Sequence, residues 1–222
     1  MTFSVIITGA TGMVGEGVLL ECLADPRVAR VLVVNRKPLG RTHPKLTEIV
    51  HADFHDPSAI EQQLAGYQAC FFCLGVSSIG MNEHDYRHVT YDLTMAAATV
   101  LARLNPGMTF TYVTGSGTDS TERGSSMWAR VKGATENALL RLPFKAAYMF
   151  RPGIIQPLHG VRSKTPLYHS VYMVISPLLS LAYRLWPDKM TTSEQIGLAM
   201  LAVARSGAPK VLLEPADINA LR

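Results

Sequence analysis

The stretch "TGATGMVGEG" constrains this chain more than any other. It sets Gly9, Gly12 and Gly15 in the spacing G-x-x-G-x-x-G, directly after the apolar run "FSVIIT" (residues 3–8) and at the head of the helical pattern "MVGEGVLLECLAD". The spacing alone is weak; its place between a strand and a helix makes it specific. The first glycine permits a tight turn, and the second lets backbone N–H groups approach a pyrophosphate. The third lets the helix lie close to the strand, and the helix N-terminus adds a favourable dipole. Thr11, Met13 and Val14 complete the turn. A chain that opens in this way is expected to alternate strands with helices and to hold a dinucleotide.

The rest of the sequence keeps that alternation. "VLVVN" (31–35), "LTEIV" (46–50), "ACFFCL" (69–74), "TFTYVT" (109–114) and "KAAYMF" (145–150) read as strands. Helices are expected over 57–65, beginning with Pro57 at a permitted first-turn position, over 83–104, stopped by Asn105-Pro106-Gly107, and over 126–142, ended by Pro143. Strands apolar on both faces require a sheet covered on each side, so the fold class is α/β, a doubly wound parallel sheet.

After residue 152 the rhythm changes. "PLYHSVYMVISPLLSLAYRLWP" (166–187) is strongly apolar. A membrane span needs about 20 apolar residues in a row. Here Pro177 interrupts the run, and His169 and Arg184 stand toward its ends. Helices packed on the sheet edge, on a second subunit in a homodimer, or over the cleft are expected in place of a span. Peripheral membrane contact stays open, because Trp, Tyr and Arg suit an interface. "TTSEQIGLAMLAVARSG" (191–207) carries an N-cap cluster, helical periodicity and a terminal glycine, and "KVLLEP" (210–215) reads as a last strand. No repeat or linker divides the chain, so 1–222 reads as one domain, with 156–222 as a small helical C-terminal cap.

Composition excludes some classes. Hydrophobic residues make up 48% and charged residues 17% of the 222, which suits a globular protein. The net charge of +4 is scattered, favouring a cationic groove for a phosphorylated ligand over a nucleic-acid platform. Cys22, Cys70 and Cys73 are an odd number without framework spacing, and "MTFSVIITG" lacks the features of a signal peptide. Reduced thiols and a cytoplasmic location are therefore expected. Cys70 and Cys73 have the spacing of a redox pair, but three residues apart on a strand they point to opposite faces.

The end of the second strand bears on which dinucleotide is bound. A carboxylate there, about 20 positions beyond the glycine turn, would bind the 2′-hydroxyl of NAD. The sequence reads "VVNRKP": Asn35 stands in that place, followed by Arg36 and Lys37. The missing carboxylate removes repulsion against a 2′-phosphate, and a guanidinium can pair with one, so NADP is expected over NAD, with Arg36 as the main contact. Asp53 is a candidate acceptor for the adenine amino group, or an ordinary turn residue, with Phe54 as apolar cover. Leu74 and Gly75 end the fourth strand beside the cofactor path.

Taken together, the Gly9/Gly12/Gly15 turn, "ADF" after the third strand, "CLG" after the fourth, "VTGSG" after the fifth, "VKGATENAL" on the next helix and "RPGII" after the sixth resemble a known family. It is the atypical and extended short-chain dehydrogenases/reductases, a group with nucleoside-diphosphate-sugar epimerases and Tat-interacting-protein-like oxidoreductases among its members. The resemblance covers about residues 3 to 155 and implies a Rossmann-like fold. It also implies a serine that orients a substrate carbonyl, a tyrosine that moves the proton, and a lysine four residues later that holds the nicotinamide ribose. Ser116, with Thr114 beside it, takes the serine's place, and Lys132 the lysine's. Arg151-Pro152-Gly153 matches the segment lining the nicotinamide side.

The chain departs from that pattern at Trp128, which occupies the tyrosine position. An indole N–H donates a hydrogen bond but does not exchange a proton at working pH. Val89-Thr90-Tyr91 also departs, where the family often has an asparagine. Tyr86, Tyr91, Tyr112, Tyr168, the Ser116 hydroxyl or a water are the candidate replacements for the tyrosine. Trp128 reads equally as a packing residue on a helix that has lost its catalytic role. His84 and His88 share a helical face, but no third metal ligand suggests itself, and His51 and His55 flank a turn. His159 is a minor acid/base candidate, and no G-x-S-x-G elbow is present. The expected activity is NADP(H)-dependent oxidoreduction, or epimerase-like chemistry, on a small carbonyl substrate. The alternative is a regulatory protein that senses NADP(H) and signals through its apolar C-terminal segment.

Overall fold

The computed structural model describes residues 2–158 and 189–221. Strands β1 (Phe3–Thr8), β2 (Val28–Asn35), β3 (Leu46–Val50), β4 (Ala69–Phe72), β5 (Thr109–Val113) and β6 (Ala146–Phe150) lie in the expected places. After β7 (Ile154–Gln156) and β8 (Met190–Thr192), which pair with each other, comes β9 (Leu212–Leu213). The main sheet has seven strands in the order β3-β2-β1-β4-β5-β6-β9, with every neighbouring pair parallel. This is the doubly wound, Rossmann-like order, whose reversal point between β1 and β4 places a crevice at the C-terminal ends of the strands.

Helix α1 (Met13–Ala24) follows the glycine turn. Helices α2 (Glu83–Arg87) and α3 (Leu93–Leu104) form one continuous rod, joined by a π-helical turn, His88–Asp92. Next come α4 (Met127–Leu139), α5 (Ser193–Ser206) and α6 (Pro215–Ala220). The expected helix over 57–65 is wound more tightly, as a 3-10 segment Ser58–Leu64.

Alternating side chains of the strands feed two cores. Val5, Ile7, Val31, Val33 and Phe71 meet Val18, Leu19 and Cys22 of α1 and Ile196, Met200 and Val203 of α5 on one face. Ile6, Leu32, Val34, Phe72, Phe110 and Tyr112 meet Ala97, Ala98 and Leu101 of α3 and Leu139 of α4 on the other. Cys70 belongs to the second core and Cys73 packs against the first, so the two thiols lie on opposite faces as expected.

The described part of the C-terminal extension is woven into the layers. Helix α5 lies against α1, and the contact depends on two glycines: a Cβ on Gly17 would sit 2.8 Å from the Ser193 carbonyl oxygen, and one on Gly197 would sit 3.2 Å from the Val18 Cα. Its ends follow the sequence reading, with the Thr192 hydroxyl accepting from the Gln195 N–H and Gly207 at φ 73°. The expected strand 210–215 shortens to two residues because Pro215 opens α6. There Glu214 and Asp217 form a reciprocal capping box, encoded in "EPAD". The apolar segment 166–187 and His159 lie outside the described residues. Among the described residues no helix is long and apolar enough to cross a membrane.

Candidate dinucleotide and substrate site

The glycine turn is shaped by backbone contacts that exclude side chains. Gly9 has φ 70°, a conformation natural to glycine, and a Cβ there would sit 2.7 Å from the Cys73 carbonyl oxygen. This sharp turn carries the chain away from β4, which explains why pairing stops at Thr8–Phe72 rather than running to Leu74. A Cβ on Gly15 would lie 2.2 Å from the Gly9 oxygen, so the first turn of α1 rests on the loop itself. Around Gly12, only the Gly9 oxygen, at 3.4 Å, comes within 4 Å of an added Cβ. The N-cap of α1, Gly12, has no side chain to cap the helix. Among the described residues the first N–H groups, at Met13 and Val14, have no side-chain acceptor, at a terminus suited to an anion.

Beside this turn is a cleft of about 460 Å³ lined by Gly9, Thr11, Val34, Asn35, Arg36, Lys37, Phe54 and Leu74. Asn35 is 3% exposed, and its amide nitrogen donates to Glu48 Oε1 at 3.3 Å. Its Oδ1 is buried without a partner among the described residues, an unused acceptor on the cleft wall. Arg36 and Lys37 are exposed and make no ion pair among the described residues. Asp53 is exposed, its carboxylate accepts from the His55 N–H at 2.9 Å, and it does not line this cleft; Phe54 does. Gly75 is exposed beyond Leu74.

A second cleft, of about 290 Å³, is lined by Val76, Ser77, Ser78, Ile79, Tyr86, Thr114, Trp128 and Lys132. The Lys132 ammonium donates to the Thr114 carbonyl oxygen at 2.8 Å. Lost hydration brings its pKa down to about 8, with the Glu136 carboxylate opposing the shift. Of the three described tyrosines proposed as replacements, Tyr86 alone lines this cleft. Burial holds its phenol above the usual range, partly offset by the neighbouring Thr90 hydroxyl, which the π-helical turn carries. Tyr112 is buried in the core, Tyr91 lies under the Arg87 guanidinium at 4.0 Å, and Tyr168 lies outside the described residues.

Ser116 is exposed and does not line this cleft. Its hydroxyl donates to the Arg151 carbonyl oxygen at 3.1 Å, and its N–H donates to the Pro152 carbonyl. Thr114 is the hydroxyl residue of this strand end that lines the cleft. The Arg151 guanidinium is likewise engaged elsewhere, and neither it nor Pro152 lines either cleft. It pairs with Glu136, whose side chain is wholly buried, and reaches Ser120 Oγ at 2.5 Å and Glu214 at 3.4 Å. Thr114 Oγ1 donates to the same Glu136 carboxylate at 2.6 Å. One buried carboxylate therefore ties the end of β5 to α4 and to the start of the segment after β6. Sequence reasoning missed Glu136, although its place four residues after Lys132, on the same helical face, was legible.

The histidines form no metal group among the described residues. His88 stacks on His55 with ring centroids 4.3 Å apart and contacts Asp92, whereas His84 contacts Asp85.

Comparison with known proteins bears on this geometry. The sequence model of the NAD dependent epimerase/dehydratase family matches residues 5–120. The chain is 26% identical over 154 residues to "Protein FMP52-1, mitochondrial" of Scheffersomyces stipitis, which covers 68% of this chain and 67% of that protein. It is 30% identical over 158 residues to "Protein fmp52-1, mitochondrial" of Aspergillus terreus, covering 68% and 66%. It is 25% identical over 154 residues to Protein HTATIP2 of Rattus norvegicus, covering 68% and 62%. The match thus spans about two thirds of the length of these relatives. Among solved structures, a UDP-N-acetylglucosamine 4-epimerase from Methanobrevibacter ruminantium superposes with a TM-score of 0.69 at 14% identity, over 95% of this chain and 75% of that one. Bordetella bronchiseptica WbmH in complex with NAD+ gives 0.67 at 15% identity, over 96% and 76%. A short chain dehydrogenase from Burkholderia cenocepacia in complex with NADP gives 0.64 at 15% identity, over 95% and 87%. At such identities the likeness is one of fold.

Proposed function

Because this chain belongs to the NAD dependent epimerase/dehydratase family, we propose that it is an NADP(H)-dependent oxidoreductase acting on a small carbonyl compound. One observation carries the reading. At the strand ends the fold offers a cation-bearing cleft around the glycine turn and a second cleft where Lys132 stands among aromatic side chains.

The residues present fit the cofactor. The open space at Gly12, the uncapped start of α1 and the orphaned Asn35 acceptor suit the pyrophosphate and a ribose hydroxyl. Arg36 and Lys37, with no carboxylate among the described lining residues, favour the 2′-phosphate of NADP over NAD. When bound, a reduced nicotinamide supplies a hydride equivalent.

Lys132 supplies the proton. One of its N–H groups is committed to the Thr114 carbonyl, which leaves others to face a substrate oxygen. As the carbonyl carbon gains its C–H bond, the π pair moves onto oxygen. That oxygen takes a proton from the Lys132 ammonium to give an alcohol, and solvent recharges the amine. Tyr86, with its raised pKa, stays neutral and buried behind the cleft wall. Trp128 contributes no proton.

Two measurements test the assignment. Arg36→Ala is expected to weaken NADPH binding about 10- to 150-fold, the worth of a charged hydrogen bond of about 1.5–3 kcal/mol, and to leave NADH binding unchanged. Tighter NADH binding by the parent protein, with Arg36→Ala neutral, sinks the NADP assignment. The rate of carbonyl reduction is expected to be flat at low pH and to fall above pH 8, because the ammonium form is the active one and its pKa is lowered to about 8. Lys132→Met should lose about 10²- to 10⁴-fold in rate. A rate that climbs between pH 7 and 9 refutes a lysine acid. Tight NADPH binding with no turnover of any carbonyl would instead favour the regulatory sensor. The unpaired cysteines support an intracellular setting; fractionation decides between the cytoplasm and the mitochondrion named in the fungal relatives.

A further inference from the structure

We propose that the cleft beside Lys132 takes a flat, uncharged carbonyl compound, aromatic or conjugated, stacked against the Trp128 indole. The proposal rests on the cofactor reading above and names the substrate class for the same site.

Size and charge argue first. The cleft of about 290 Å³ is open and has room for a ring system beside the reacting end of the cofactor. Lys132 is the one charged side chain lining it among the described residues. A nucleoside-diphosphate sugar carries a diphosphate that calls for paired cations, Arg above all. An uncharged ligand needs none.

The walls argue next. Trp128, Val76 and Ile79 present apolar surface, with Ile79 72% exposed, while the buried Tyr86 backs them and Ser77 and Ser78 add hydroxyls to the lining. Lys132, steadied by the Thr114 carbonyl oxygen, keeps N–H groups that suit the oxygen of a carbonyl. A molecule recognised here lays a flat face on Trp128 and turns a polar group to Lys132.

Trp128 is seated rather than left over. The edge of its six-membered ring lies over Gly117, where a Cβ would come 3.7 Å from Cη2 and 3.9 Å from Cζ2. Gly117 has φ 87°, so a side chain at this loop residue is strained, and the indole meets the bare backbone at ordinary contact distance. The indole keeps part of its surface exposed and lines the cleft. Aromatic rings stack offset or edge to face on such a surface and reward a planar partner. The residue that removes the usual proton donor thus supplies the wall that selects the substrate.

The test uses the full chain. The sequence has two tryptophans, so Trp186→Phe leaves Trp128 as the only indole emitter. With NADP+ saturating, 4-nitrobenzyl alcohol is expected to quench that emission saturably. Benzyl alcohol should displace it at least tenfold more effectively than cyclohexylmethanol, and UDP-glucose should not displace it. In turnover with NADPH, Trp128→Leu should raise the KM for 4-nitrobenzaldehyde roughly tenfold with a smaller change in kcat, and Trp128→Phe should restore it. Displacement by UDP-glucose, equal displacement by the two alcohols, or an unchanged KM in Trp128→Leu overturns the proposal alone. Failure of calorimetry to detect NADP+ or NADPH binding overturns the cofactor reading and the proposal with it.

Discussion

Replacing Gly12 with alanine is expected to cost the protein its dinucleotide and almost none of its stability, whereas the same change at Gly15 damages both. At Gly12 the backbone (φ −95°, ψ 164°) suits any L-residue, and an added Cβ meets only the Gly9 oxygen, at 3.4 Å. A methyl group there costs the fold little and can even restrict the unfolded chain, by about 0.4–1 kcal/mol. It occupies the space through which the α1 amides reach an anion. Losing two charge-assisted hydrogen bonds at about 1.5–3 kcal/mol each weakens NADPH binding on the order of 100-fold or more. At Gly15 the Cβ falls 2.2 Å from the Gly9 oxygen and 2.6 Å from its carbonyl carbon. Both are backbone atoms of the turn, so α1 has to shift, at an overpacking cost of about 1–3 kcal/mol. Urea unfolding and NADPH titration on the two variants separate the effects. Gly12→Ala binding NADPH as tightly as the parent would show that the turn does not hold the cofactor.

The buried ion pair gives the largest expected loss of stability. Glu136 is wholly buried and accepts from Arg151 and from the Thr114 hydroxyl. Glu136→Ala leaves the guanidinium of Arg151, a residue only 8% exposed, with Ser120 and a 3.4 Å contact to Glu214 in place of its main partner, and is expected to destabilise the protein by about 3 kcal/mol. Against a total of about 5–15 kcal/mol, that is a large share. Glu136→Leu combined with Arg151→Met should recover most of the loss, because two apolar side chains replace the pair without leaving a lone charge. Denaturant midpoints of the single and double variants check this. A single-variant loss under about 1 kcal/mol would mean that water reaches the guanidinium and pairs with it.

Much of the architecture was legible before any coordinates. Runs such as "SVIIT" and "VLVVN", apolar at successive positions, require cover on both faces, and the two cores on either side of β1 bear this out. Gly207 and the Thr192–Gln195 cap likewise end α5 where local chemistry dictates. Element ends set by distant contacts were less legible. β4 stops at Phe72 because β1 turns away at Gly9, and the π-helical turn within the 83–104 rod has no periodicity of its own.

Local sequence determined the order of strands and helices, the sheet's parallel sense and the glycine turn, because propensity, spacing and side-chain alternation act over a few residues. The roles of Thr114, Ser116, Arg151 and Glu136 were decided only by tertiary structure. Which strand-end residue lines the cleft, and which charge a buried carboxylate neutralises, depends on how β5, α4 and the end of β6 meet. Thr114 and Glu136 are 22 residues apart in the chain and Glu136 and Arg151 are 15 apart, and no local pattern records the direction in which their side chains converge.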